Sequence, residues 1–225
     1  MTEKYGFKVS KDQFGANVSE DFFDRGEAKF IAFFEETTLK LLDTPKDLYS
    51  MVELGSNQAY YSLLFKHIIG KNKSINILVE PKPVHLERGK GEFALNECEG
   101  VFYERKVGKT WGMRKEELEV SAITLTDILK ENKLDELDML HCDIDSSEYE
   151  MLKENEDVFK EGKVRYAFIF IHTPELYNQC TEFFNKVGYK QIFEWRLGNN
   201  KGATPTDDLI VYERQILQSS GIHQS

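Results

Sequence analysis

The chain has 225 residues, a formal net charge of −10, 40% apolar and 30% charged side chains; this fits one globular domain with a proper core and leaves two domains cramped. An acidic surface repels phosphate backbones and anionic lipid heads, so neither nucleic acid nor a membrane is an expected partner. Cys98, Cys142 and Cys180 offer no CxxC spacing for zinc or a disulfide framework, and the polar stretch 1–21 has no signal-peptide core, so the reading is a cytoplasmic protein with reduced thiols.

Residues 1–26 are polar with scattered Phe7, Phe14, Phe22 and Phe23, and read as an irregular arm or a lid on the substrate side. Phe30, Phe33, Phe34, Leu41 and Leu42 recur at helical spacing, which predicts a helix over 27–43. Together these make an N-terminal segment, 1–45, ahead of a main domain over 46–215 and a disordered tail over 216–225.

From residue 48 strands and helices alternate. Apolar runs predict strands over 48–53, 75–80, 101–107, 137–143 and 164–171. Helices are expected over 59–69, 84–96, 124–129, 147–159 and 174–187, with Thr124 capping the third and Gly188 closing the last. The stretch 108–121 gives no clear signal. Strands over 189–195 and 209–212 have no helix between them, so a hairpin is the economical link and the last strand runs antiparallel. The fold class is therefore α/β: a mostly parallel, doubly wound, seven-stranded Rossmann-like sheet with helices on both faces. Such sheets bind ligands beyond the carboxyl ends of their strands, so the residues that follow strands carry the functional argument.

The first strand runs into Glu53-Leu54-Gly55-Ser56-Asn57-Gln58-Ala59-Tyr60-Tyr61-Ser62. Gly55 allows a tight turn, and the next helix offers its N-terminal N–H groups to an anion. A dinucleotide site needs a second glycine where Asn57 stands, so a pyrophosphate fits badly and a small carboxylate fits better. Glu53 can accept from an ammonium. Glu80 ends the second strand, placed to take a ribose cis-diol with its two acceptor oxygens. The fourth strand ends in Asp143-Ile144-Asp145-Ser146-Ser147-Glu148; Glu148 has a structural reason to be there, at a helix start, and Asp143 has less. His172 follows the fifth strand ahead of Pro174. It reads equally as a base or as a hydrogen-bonded turn residue. His67, His85 and His223 read as ordinary helix or surface residues.

In order and spacing these motifs resemble the FkbM-type S-adenosylmethionine-dependent methyltransferases, over about Met51 to Tyr212. The matching stretches are Glu53 to Ser62, Glu80-Pro81, Thr124-Leu125-Thr126-Asp127, Asp143 to Leu152, His172 and Gly188-Tyr189. The chain departs from the pattern at Ala59 (for Gly), Asp145 (for Glu), Ser146 (for Gly) and Phe170 (for a carboxylate). The resemblance implies a class I methyltransferase that binds S-adenosylmethionine through Glu53, Gly55, Ser56, Asn57, Tyr60, Glu80, Pro81, Val107 and Asp143. It implies methyl transfer to oxygen, with a sugar or glycosylated small molecule as acceptor. His172 is the expected base, with Asp143 or Asp145 as the alternative. No metal is expected, because Asp143 and Asp145 have no paired Asp on the next strand end. The 1–26 arm is expected to shape the acceptor pocket, and self-association stays open. The competing readings are an NAD- or nucleotide-sugar-binding Rossmann enzyme and a cofactor-binding module without catalysis.

Overall fold

The computed structural model describes residues 2–4, 6–9, 27–107, 120–196 and 208–215. The chain opens with a hairpin of β1 (Thr2–Lys4) and β2 (Phe7–Val9), then α1 (Glu27–Leu41). The main alternation follows: β3 (Tyr49–Leu54), α2 (Tyr60–Ile69), β4 (Ser74–Val79), α3 (Pro83–Leu95) and β5 (Val101–Tyr103). A small pair, β6 (Lys106–Val107) and β7 (Ala122–Ile123), leads to α4 (Leu125–Glu131) and β8 (Leu137–Cys142). The chain ends with α5 (Glu148–Glu154), α6 (Glu156–Lys160), β9 (Val164–Ile171), α7 (Pro174–Lys186), β10 (Tyr189–Trp195) and β11 (Asp208–Arg214).

The central sheet has seven strands in the order β10-β11-β9-β8-β3-β4-β5. β3 pairs in parallel with both β4 and β8, and β8 with β9. β11 lies between β9 and β10 and runs antiparallel to both, in line with the hairpin expected from the sequence. Every residue of β3 and β8 is buried. That is the pattern of parallel strands covered on both faces.

Side chains alternate across the sheet. Val52, Leu54, Val79, Leu140 and Ile169 pack with the residues of α4 to α7. Met51, Leu78, Met139, Phe168 and Val211 pack with Phe34 of α1, Leu63 of α2 and Phe93 of α3.

Three elements differ from the sequence expectation. The strand expected over 101–107 divides, because Lys106–Val107 leaves the sheet to pair with Ala122–Ile123. The helix expected over 147–159 breaks at Asn155, at φ −116° and ψ 22°. Its side chain is engaged there: Oδ1 accepts from Leu125 N at 2.7 Å, and Nδ2 donates to Met151 O at 2.7 Å. At the N-terminus, residues read as an irregular arm form the β1–β2 hairpin. Phe7 and Val9 enter the same core as α1. Asn96, at the end of α3, clamps the Lys8 backbone through both amide atoms, at 2.7 and 2.8 Å. Three-residue strands are too short for a periodic signal. Phe14, Phe22, Phe23, residues 108–119 of the unclear stretch 108–121 and the tail 216–225 lie outside the described residues.

β3 has β4 on one side and β8 on the other, so the strand order switches there and a crevice opens beyond the carboxyl ends of β3 and β8. The turns at its rim are strained. Gly55 has φ 76°, and a Cβ built on it would stand 1.8 Å from the Asp143 carbonyl oxygen. Asn57, Ala59, Asp145 and Ser146 also have positive φ, at 42°, 66°, 54° and 72°. Asn and Asp visit this region readily; Ala and Ser do so at a cost of roughly 1–2 kcal/mol. Such strain gathers where a loop must present itself to a ligand.

Ser146→Gly is therefore expected to stabilise the fold by about 0.5–1 kcal/mol, the relieved strain less the extra unfolded-chain entropy of glycine. Ala59→Gly should be near neutral, since it also loses a fully buried methyl worth about 0.8 kcal/mol. Urea unfolding of both variants checks this; a destabilised Ser146→Gly would mean that its side chain holds the turn.

Candidate functional site

The turn after β3 is folded onto β4. Gly55 N and Ser56 N both donate to Val79 O, at 2.9 and 3.2 Å. Glu53 is buried on β3, and its Oε2 accepts from Ser62 N in the first turn of α2 at 3.1 Å. Burial pushes its carboxyl up to about 8, with the Asp143 charge adding to the rise. One of the α2 N–H groups that the sequence offers to a ligand is thus already taken by the strand. Ser56 is buried, Tyr60 half-buried and Asn57 exposed, so the turn presents backbone as much as side chains.

Glu80 follows β4 and is 4% exposed. Its Oε2 accepts from Asn57 N and its Oε1 from Lys82 N, both at 3.0 Å. It staples the glycine turn to its own loop, and each oxygen keeps a second lone pair for a ligand hydroxyl. Burial raises its carboxyl, opposed by those two backbone bonds. Pro81 beside it is buried. His85, dismissed on the sequence as ordinary, stands 3.8 Å from Glu80 Oε1; only its place one turn into α3 hinted at that. Asp145 belongs to this side of the crevice, since its charge acts on both Glu80 and His85. Val107 is fully buried within the core under α4 to α7.

The other side is built by Asp143, His172 and Glu148. Asp143 is the first residue past β8, and its N–H donates to Leu54 O at 3.0 Å. His172 is the first past β9, fixed ahead of α7, whose N-cap Thr173 accepts from Leu176 N. Its Nε2 lies 3.3 Å from Asp143 Oδ1 and 3.2 Å from Glu148 Oε1. Glu148 is fully buried, and its Oε1 also accepts from Ile144 N at 2.9 Å. Each of the three residues offers a ligand atom within 4.8 Å of the others. Sequence reasoning gave Glu148 a helix-dipole role only. The available signal was its place in the Asp143 to Leu152 stretch that resembles the FkbM motif.

Phe170, which stands where the FkbM pattern has a carboxylate, joins the aromatic layer under α1, 5.2 Å from Phe30 and 5.1 Å from His141 between ring centres. His141 is a core residue despite its position two before Asp143. It stacks on Tyr61 at 4.3 Å, and neither ring nitrogen has a partner among the described residues. Burial pushes it down to about 3, so it stays neutral and is no base.

No family model matches the chain, and no curated protein is similar to it. Solved structures are. The N-terminal domain of human METTL16 in complex with S-adenosyl-homocysteine is 16% identical, with a TM-score of 0.52 over 82% of this chain and 68% of that one. Precorrin-6y C5,15-methyltransferase from Geobacter metallireducens GS-15 is 11% identical, with a TM-score of 0.53 over 92% and 94%. TrmK of M. capricolum, in complex with S-adenosyl-homocysteine, is 13% identical, with a TM-score of 0.51 over 80% and 67%. These neighbours overturn one expectation. Net charge argued against nucleic acid as a partner, yet METTL16 and TrmK are RNA methyltransferases, so this fold serves nucleic-acid substrates. Net charge misleads because it sums the whole surface, whereas recognition depends on how charge is distributed. What the likeness establishes for this chain is its architecture, the Rossmann-like fold of the methyltransferases.

Proposed function

We propose that this chain is an S-adenosylmethionine-dependent methyltransferase that methylates a hydroxyl oxygen. The observation that carries the reading is the contact between two parts of the crevice. The Gly55 turn touches the Asp143 backbone, so a cofactor seated on that turn has its reactive end beside the Asp143–Glu148–His172 cluster. The order of motifs, similar to that of the FkbM type, supports the same reading, and a sugar hydroxyl is the acceptor that resemblance implies.

The residues fit such a cofactor. Glu53 would take its ammonium, the backbone of Gly55 to Asn57 its carboxylate, and Glu80 its ribose hydroxyls. The bound group supplies a methyl already activated on a sulfonium. What remains for the protein is to align the acceptor and remove its proton. Alignment supplies roughly 7–11 kcal/mol of barrier lowering. A hydroxyl is a poor nucleophile until its proton leaves, and a positioned acceptor for that proton adds on the order of 10²–10⁴ in rate. Asp143 and His172 stand where that proton would go. Transfer of labelled methyl from S-adenosylmethionine to fractions of a cell extract, small molecules and RNA tested separately, examines the reading directly. No transfer to any fraction would leave a cofactor-binding module without catalysis.

Two predictions follow from the two sides of the crevice. With its carboxyl near 8, Glu53 is mostly protonated at neutral pH and must ionise to pair with an ammonium. Affinity for S-adenosylhomocysteine should therefore rise with pH, by at most about tenfold per unit, and level off above about 8. Calorimetry in buffers of different ionisation enthalpy should record proton release, and Glu53→Gln should abolish the dependence. A flat wild-type profile would remove Glu53 from the cofactor. The same raised carboxyl takes up a proton on folding between its ordinary 4.5 and about 8, so its contribution to stability declines as pH rises through that window.

On the other side, His172→Asn should lower turnover by about two to four orders of magnitude and leave affinity for S-adenosylhomocysteine unchanged. Near-native turnover would assign the ring to holding the turn before Pro174.

A further inference from the structure

We infer that Asp143, Glu148 and His172 form a binding site for a divalent first-row metal ion. The inference deepens the proposed function, because it concerns the group that faces the acceptor. Three observations carry it.

The first is spacing. Ligands bonded at about 2.1 Å to a tetrahedral or octahedral ion stand about 3.0–3.4 Å apart. His172 Nε2 is 3.3 Å from Asp143 Oδ1 and 3.2 Å from Glu148 Oε1, so the imidazole sits one ligand edge from each carboxylate.

The second is an unmet need. Glu148 is fully buried, its Oε1 faces the imidazole, and its Oε2 has no hydrogen-bond partner among the described residues. A buried carboxylate oxygen without a donor is costly. A cation bound by both oxygens would satisfy it.

The third is access. The His172 side chain is 16% and the Asp143 side chain 37% exposed, so an ion can reach the cluster from solvent. An acceptor oxygen drawn to an ion bound this way would be made more acidic; His172 Nε2 would then hold the ion, and taking the acceptor's proton would fall to the second oxygen of the Asp143 carboxylate.

Two carboxylates and one imidazole suit Mn²⁺, Fe²⁺ or Zn²⁺. The reason for expecting no metal was the lack of a second carboxylate on the next strand end. The structure brings that carboxylate from α5 instead.

Chelator-stripped full-length protein titrated with Mn²⁺, followed by calorimetry and by loss of the free-ion electron paramagnetic resonance signal, should bind one ion. Glu148→Gln and His172→Asn should each weaken binding at least tenfold. Absence of saturable binding to the wild type, or unchanged affinity in both variants, overturns the site. Should Glu148→Gln fail to fold, Asp143→Asn replaces it under the same criterion. S-adenosylhomocysteine affinity measured on the same samples separates the two readings. Binding of the nucleoside without Mn²⁺ removes the metal site alone. Binding of Mn²⁺ without the nucleoside upholds the metal site and removes the methyltransferase reading.

Discussion

The site depends on one close approach: the backbone of Gly55, at the end of β3, lies against the carbonyl of Asp143, at the end of β8. Any side chain at position 55 would push the two strand ends apart, whatever its chemistry, because the obstacle is backbone. β3 and β8 are neighbours in the middle of the sheet, at the point where strand order switches. The same contact therefore sets the width of the crevice and fixes the distance between its two halves. Gly55 also has a positive φ, so glycine is required there twice, for space and for backbone conformation.

Around that contact the loops are held by buried glutamates. Glu53 takes the N–H of Ser62, Glu80 those of Asn57 and Lys82, and Glu148 that of Ile144. Each reaches from a strand or its end, or from a helix start, into a neighbouring turn. Charge-assisted bonds to backbone N–H offset part of the cost of burying a carboxylate. Raised carboxyl groups at Glu53 and Glu80 mark the part that is not offset. The strained φ values at Ala59 and Ser146 belong to the same economy: stapled loops can hold conformations that a loose loop would abandon.

Much of the fold was legible in the sequence because its signals are local. β9 and β10 begin and end where the apolar runs do, and the Thr124–Asp127 capping box announces α4. The β1–β2 hairpin was not legible, since its anchor is the Asn96 side chain, 88 residues from Lys8. The break at Asn155 was hidden for a similar reason, its partner Leu125 lying 30 residues away. At the site, the sequence named Glu53, Gly55, Glu80, Asp143 and His172 from their places after strands. It missed the pairing of His172 with Glu148, which sits on the next helix and needs the fold to bring it round. It also placed Asp145 beside Asp143, while the positive φ at Asp145 and Ser146 helps to turn that carboxylate toward Glu80. Adjacency along a loop does not survive two left-handed residues.

Charge in the crevice decides between occupants better than charge on the whole chain. Glu80, Asp143, Asp145 and Glu148 bring carboxylates to one rim; burial raises the carboxyls of Glu53 and Glu80, and the charges of Asp143 and Asp145 add to that rise. A pyrophosphate would add its charge to that field, which weighs against a dinucleotide independently of Asn57. A ligand that is cationic at its reacting centre is drawn in by the same field. So would be the divalent ion inferred beside His172. The argument extends to the acceptor. A hydroxyl is neutral until its proton leaves, so it enters such a site without penalty, and the oxyanion that develops needs a counter-charge. In the proposed reaction, a bound sulfonium would supply one on the side of the bond being broken. A cation at Asp143, Glu148 and His172 would supply the other, at the oxygen itself, where a crowded set of carboxylates would otherwise oppose the charge that develops.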